Sequence, residues 1–175
     1  MGIVAKITQD ELCLAFLERL RSQIPWVNRT NSWIDDEPIP YGGVEPPMTE
    51  CISIVAGDGV FDPGLNTGGA CEISEDGTSI VTWMKRFSLD RGKELTQAIA
   101  ESSKNMLIVK REVLNAIIVD RDADQSHGRW IPVTKTGEHM LTSFIRPVSY
   151  QNPRRMSEHM LYGHITFSAP FVWSL

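Results

Sequence analysis

Paired cysteines, phosphate-cradling loops, long apolar runs and an excess of basic charge are all missing from this 175-residue chain. Its three cysteines, Cys13, Cys51 and Cys71, are odd in number and far apart, so they signal neither a disulfide framework nor a closed zinc site. Isolated thiols of this kind read as small buried hydrophobes. No stretch approaches the ~20 apolar residues of a membrane span. The N-terminus turns polar at Thr8-Gln9-Asp10-Glu11, short of the apolar core of a secretion signal, and Lys6 stands where the myristoylation pattern wants Ser or Thr. A protein made in the cytoplasm, with no membrane partner, is the expectation. The 17 basic residues are outnumbered by 22 acidic ones, leaving a formal net charge of −5 and no broad footprint for a phosphate backbone.

Catalytic signatures are equally scarce. Gly57-Asp58-Gly59 and Gly68-Gly69 fit neither the phosphate-binding loop, with its Gly-Lys-Ser/Thr ending, nor the G-x-G-x-x-G fingerprint, and no G-x-S-x-G elbow occurs. Asp120-Arg121-Asp122-Ala123-Asp124 opens like a calcium loop, but Gln125 stands where the sharp turn needs Gly and Ile131 where the bidentate Glu belongs. His127, His139, His159 and His164 show no metal-ligand spacing. The repeated strings at Glu138-His139 and Glu158-His159 would send their two side chains to opposite faces of a strand, so neither makes an acid–base pair. No cofactor, no metal and no enzymatic activity are therefore expected. A small enzyme or ligand-binding module without a recognisable motif stays open as the alternative, since catalytic partners such as Cys71 and His127 meet in space and not in sequence.

What the chain does have is ordinary globular composition, 42% hydrophobic and 22% charged, at the length of one domain. The reading is a single α+β domain over 1–175, with a mainly antiparallel sheet packed on two or three helices. Asp10 is placed to cap a helix whose apolar stripe runs Leu12, Leu14, Ala15, Phe16, Leu17, Leu20 and Ile24, ended by Pro25. A Pro/Gly-rich loop or arm follows at about 26–48, holding Trp26, Trp33, Ile34 and Tyr41. Cys51–Ala56 reads as a strand broken by Gly57-Asp58-Gly59, and Glu75-Asp76-Gly77 reads as a hairpin turn between strands at 70–74 and 78–87. Asp90 would cap a second helix, continued or followed by a third over 105–120. Strands are expected at Trp130–Val133, Met140–Pro147 and Met160–Trp173, with Arg146-Pro147 and Asn152-Pro153-Arg154-Arg155 as turns between them.

Two surfaces invite contact with partners. Trp33, Ile34 and Tyr41 in the arm, and Phe167, Phe171 and Trp173 on the last strand, concentrate more apolar area than one small core is expected to absorb. Arg146, Arg154 and Arg155 form a basic patch suited to an acidic neighbouring subunit or to passing DNA.

The order of parts resembles the tail terminator and neck (tail-completion) proteins of long-tailed bacteriophages. The resemblance is carried by Ser79-Ile-Val-Thr-Trp-Met-Lys-Arg-Phe-Ser-Leu-Asp90, by the helix from Arg91, and by the ending Gly163-His-Ile-Thr-Phe-Ser-Ala-Pro-Phe-Val-Trp173. It covers about two-thirds of the chain as a layout, without an invariant motif. It implies a virion structural subunit that forms a homo-oligomeric ring, commonly a hexamer, joining tail tube to head, with tail tube and neck or connector proteins as partners. Residues 26–48 and 120–139 exceed a minimal terminator, and a neck protein of related fold would accommodate both.

Overall fold

A computed structural model describes residues 9–35, 48–61, 72–87, 94–119, 129–133, 142 and 145–174, with positions 61, 72–75 and 171–174 described by backbone alone. The elements run α1 (Gln9–Gln23), β1 (Ser32–Ile34), β2 (Glu50–Phe61), β3 (Glu72–Arg86), α2 (Leu95–Ile118), β4 (Arg146–Arg155) and β5 (Met160–Ser174). The five strands form one sheet in the order β1-β2-β3-β5-β4, in which only the β1–β2 pair is parallel. The fold is α+β, as the sequence suggests.

The first helix buries Leu12, Cys13, Phe16, Leu17 and Leu20, spacings that repeat near 3.6 and put one stripe on the sheet, while Leu14 of the expected stripe falls on the opposite side and is exposed. It starts at Gln9, so Asp10 sits in the first turn, where its charge still favours the helix dipole, and not at the cap. The second helix is one continuous element of 24 residues, and no break separates a third. Its buried positions Ala98, Ser102, Met106, Val109, Val113, Ala116 and Ile117 hold the same spacing throughout, which outweighs the weak helix propensity of its β-branched residues. The cap expected at Asp90 lies outside the described residues; the helix as described begins after Glu94, which makes no side-chain cap bond. At the other end Arg19 of α1 donates to the carbonyls of Ala116 and Val119, both at 3.1 Å, and so caps α2 from a different helix.

Both helices pack on one face of the sheet, α1 over β1, β2 and β3 and α2 over β3, β4 and β5. Between them and the strands, Phe16 meets Phe167 edge-on with centroids 5.5 Å apart and Trp130 at 5.8 Å.

Several sequence expectations about turns are corrected. Glu75-Asp76-Gly77 is no hairpin turn: it lies inside β3, where Gly77 pairs with Gly59 on one side and Ala169 on the other. A continuous 15-residue ladder to β5 supplies every residue of β3 with a partner, and that outweighs a local turn preference. Gly57-Asp58-Gly59 does not break β2 but makes a bulge, one extra residue between the Ala56 and Gly59 pairings. A Cβ on Gly57 would meet Thr78 Oγ1 at 2.5 Å, so the bulge needs a bare backbone there. Arg146-Pro147 and Asn152-Pro153-Arg154-Arg155 are parts of β4 and not turns. Proline is tolerated because β4 is an edge strand whose register shifts at Pro147/Ser149 and again at Gln151/Arg154. Trp130–Val133 belongs to no named strand; Arg129 before it bridges Val119, and Val133 at its end takes part in a bridge. Of the strand expected at Met140–Pro147, Arg146 and Pro147 fall within β4, and Met140, Leu141, Ser143 and Phe144 lie outside the described residues.

The segment read as an arm begins as structure. Asn28, Thr30 and Asn31 form a side-chain-braced turn, and Ser32–Ile34 then runs parallel to Ile52–Ile54. Arg21 fixes this strand to α1, donating from Nε to Ser32 Oγ at 2.9 Å and from Nη2 to the Ser32 carbonyl at 2.7 Å. Residues 36–47, with Tyr41, lie outside the described residues.

Candidate interaction surfaces

The sequence-nominated residues separate into three groups once placed. Phe167 is 1% exposed and closes the core against Phe16, so it offers no surface to a partner and leaves the interface set. Phe171 and Trp173 are in β5 by backbone, paired with Glu75 and Ile73, and their side chains lie outside the described residues, as does Tyr41. Trp33 is half-buried and Ile34 is 40% exposed, side by side in β1 but on opposite faces of the sheet. The arginines come together: Arg146, Arg154 and Arg155 all lie on the outer strand β4, whose ten residues include no carboxylate. Arg146 is held by Asp76 of β3 at 3.0 Å, and Arg155 donates to the carbonyls of Ser157 and Glu158.

The face of the sheet away from the helices carries two features the sequence reading missed. At one end Cys51, Met84 and Met160 are fully buried and are packed by Trp33, Met48, Met156 and Tyr162. Trp33 is therefore partly used by the chain's own second core. Beside this cluster, register aligns Ser53, Thr82, His164 and Gln151 in one polar row across β2, β3, β5 and β4. Ser53 and Thr82 are buried, while His164 and Gln151 are half-buried. Alternation of residue types within each strand was visible in the sequence, but which strands are neighbours was not.

No protein-family model matches the chain, and no curated protein does.

Burial dominates the electrostatics of these groups. Burial is the main reason the Cys13 thiol is raised to about 11 and the Cys51 thiol to about 12, so both are protonated at neutral pH and poor nucleophiles. The neighbouring carboxylates of Glu50 and Asp35 add to the shift at Cys51. The His164 imidazole is pushed below its ordinary value, first by burial and then by the Arg154 guanidinium. An orienting carboxylate would do the reverse, and no carboxylate is aligned with His164 in the row. No cluster of three metal-ligating side chains occurs among the described residues, and no described helix is long and apolar enough to cross a membrane.

A pH dependence follows from His164. Its depressed folded-state value means that the unfolded chain binds the proton more tightly, so this contribution to stability is complete above about pH 6.5 and is lost as pH falls below it. Urea midpoints between pH 7.5 and pH 5.5 are expected to fall, and His164→Gln to flatten that decline; an unchanged slope in the variant would mean that other groups carry it.

Proposed function

We propose that this chain is a ring-forming structural subunit of a phage virion, a tail terminator or neck protein joining tail tube to head. The observation that supports the reading is a layout that resembles that family: an amphipathic first helix, antiparallel strands β2 and β3 in place of the hairpin expected at Glu75-Asp76-Gly77, one long helix, and a closing strand pair β4–β5. The chemistry agrees with an assembly role, since the described thiols are protonated and His164 is pushed toward its neutral form by burial and by Arg154. Half-exposed apolar side chains on the outer elements, including Ile34, Leu107, Ile108, Val148 and Tyr150, supply contact area for neighbours.

Sedimentation velocity over a wide concentration range, with negative-stain imaging of the largest species, tests the reading. Closed rings of uniform size are the expected result. A strict monomer at high concentration that also fails to bind or cap tail tubes would overturn it.

A further inference from the structure

Charge is segregated along this chain and the fold turns that segregation into a polarity across the sheet. Between Thr30 and Met84 there are ten acidic residues and no lysine or arginine. Of these, Asp35, Glu50, Asp58, Glu72, Glu75 and Asp76 fall within the described residues, on or beside β1, β2 and β3, with β1 and β2 at the outer edge of the sheet. The opposite outer edge is β4, with three arginines and no acid, and Lys110 of α2 sits 3.6 Å above the ring of its Tyr150.

Arg146 of β4 already pairs with Asp76 of β3 inside one molecule, but Asp58 at the β2 bulge stands three strand spacings from β4, about 14 Å. Four strand spacings separate β1 from β4, about 19 Å. Salt at physiological strength screens charges beyond roughly 8 Å. On the acidic side Arg19 is committed to the end of α2, Arg21 to Ser32 and Glu18, and Lys85 to Glu50, while Arg29 before β1 stays exposed. Asp58, at the bulge of β2, remains exposed, and so does Asp10 at the start of α1.

We infer that the basic β4 edge of one copy docks against the acidic α1–β2 edge of the next, giving a head-to-tail joint between identical subunits. This deepens the ring reading and rests on it, because a heterologous contact forms a ring when its rotation closes and an open filament when it does not. The joint is made by side chains and not by continuing the sheet. Pro147 and Pro153 lack amide donors and two register shifts interrupt β4, while β2 carries its own bulge at Gly57–Gly59. These devices block indiscriminate edge pairing, and the arginines supply the selectivity.

The test uses two charge-reversed forms of the full chain, Arg154→Glu/Arg155→Glu and Asp10→Lys/Asp58→Lys, each checked for a native circular dichroism spectrum and urea midpoint. Each alone is expected to self-associate roughly tenfold or more weakly than the parent protein. An equimolar mixture is expected to recover assembly, because alternating copies restore opposite charges at every joint, and association of the parent protein should weaken as salt rises. If the parent protein assembles and both variants assemble equally well, the joint lies elsewhere and the ring reading survives. A parent protein that never associates overturns both. Loss of duplex DNA binding in the arginine variant with assembly unchanged would assign β4 to nucleic acid and overturn the inference.

Discussion

Replacing Phe167 by alanine is expected to cost the native state about 3–5 kcal/mol, the range for removing a fully buried aromatic ring. Phe167 is 1% exposed, stands edge-on to Phe16, and lies where β5 meets the helices. The space it leaves is bounded by strand backbones on one side and α1 on the other, so collapse around it is limited. The loss should appear as a lower urea midpoint with an unchanged slope, at a concentration low enough to hold the chain monomeric. Ile34→Ala, at a position 40% exposed in the outermost strand, should change the same midpoint little. If the Phe167 effect vanished on dilution, the side chain would be acting between subunits and the core described above would be wrong at its centre.

Gly163→Val is expected to destabilise by about 1–3 kcal/mol or more through overpacking. Gly163 is buried in β5 directly opposite Trp83, and an added Cβ would stand 3.1 Å from Trp83 Cζ2 and 3.2 Å from the Gln151 carbonyl of β4. Neither neighbour gives way cheaply. Trp83 is 1% exposed, with its Nε1 buried and unpartnered, and the Gln151 oxygen is backbone, so valine must push β4 outward. Trp83→Phe shortens the ring at the contact, and Gly163→Ala adds a single carbon. The two changes together should cost less than the sum of the singles by about 0.5 kcal/mol or more. Strict additivity in denaturation midpoints would show that the Trp83 contact does not limit what position 163 can hold.

Much of the fold was legible because short-range periodicity survives into tertiary structure. The stripe from Leu12 to Leu20 and the alternation from Leu161 to Ala169 became the buried faces of α1 and β5, since a 3.6-residue or two-residue repeat has only one low-energy way to hide its apolar side. Turn chemistry was misread where a long partner strand was available. Glu75-Asp76-Gly77 and Asn152-Pro153 are strong local signals, but a signal confined to three or four residues cannot show that β5 runs alongside and satisfies their backbone.

What the sequence by itself determined was the class of the protein, its helix and strand faces, the absence of recognisable catalytic spacing, and the charge segregation, all properties of neighbours along the chain. Tertiary structure alone decided the rest. It put Phe167 inside and the three arginines on one outer strand, lined up Ser53, Thr82, His164 and Gln151 across four strands, and set the β2 bulge with Asp58 three strands away from β4. The physical reason is that strand order is set by pairing between segments up to a hundred residues apart, through backbone hydrogen bonds that every residue type can make. Side-chain pattern selects the face each residue points to; only the closed ladder selects its neighbours.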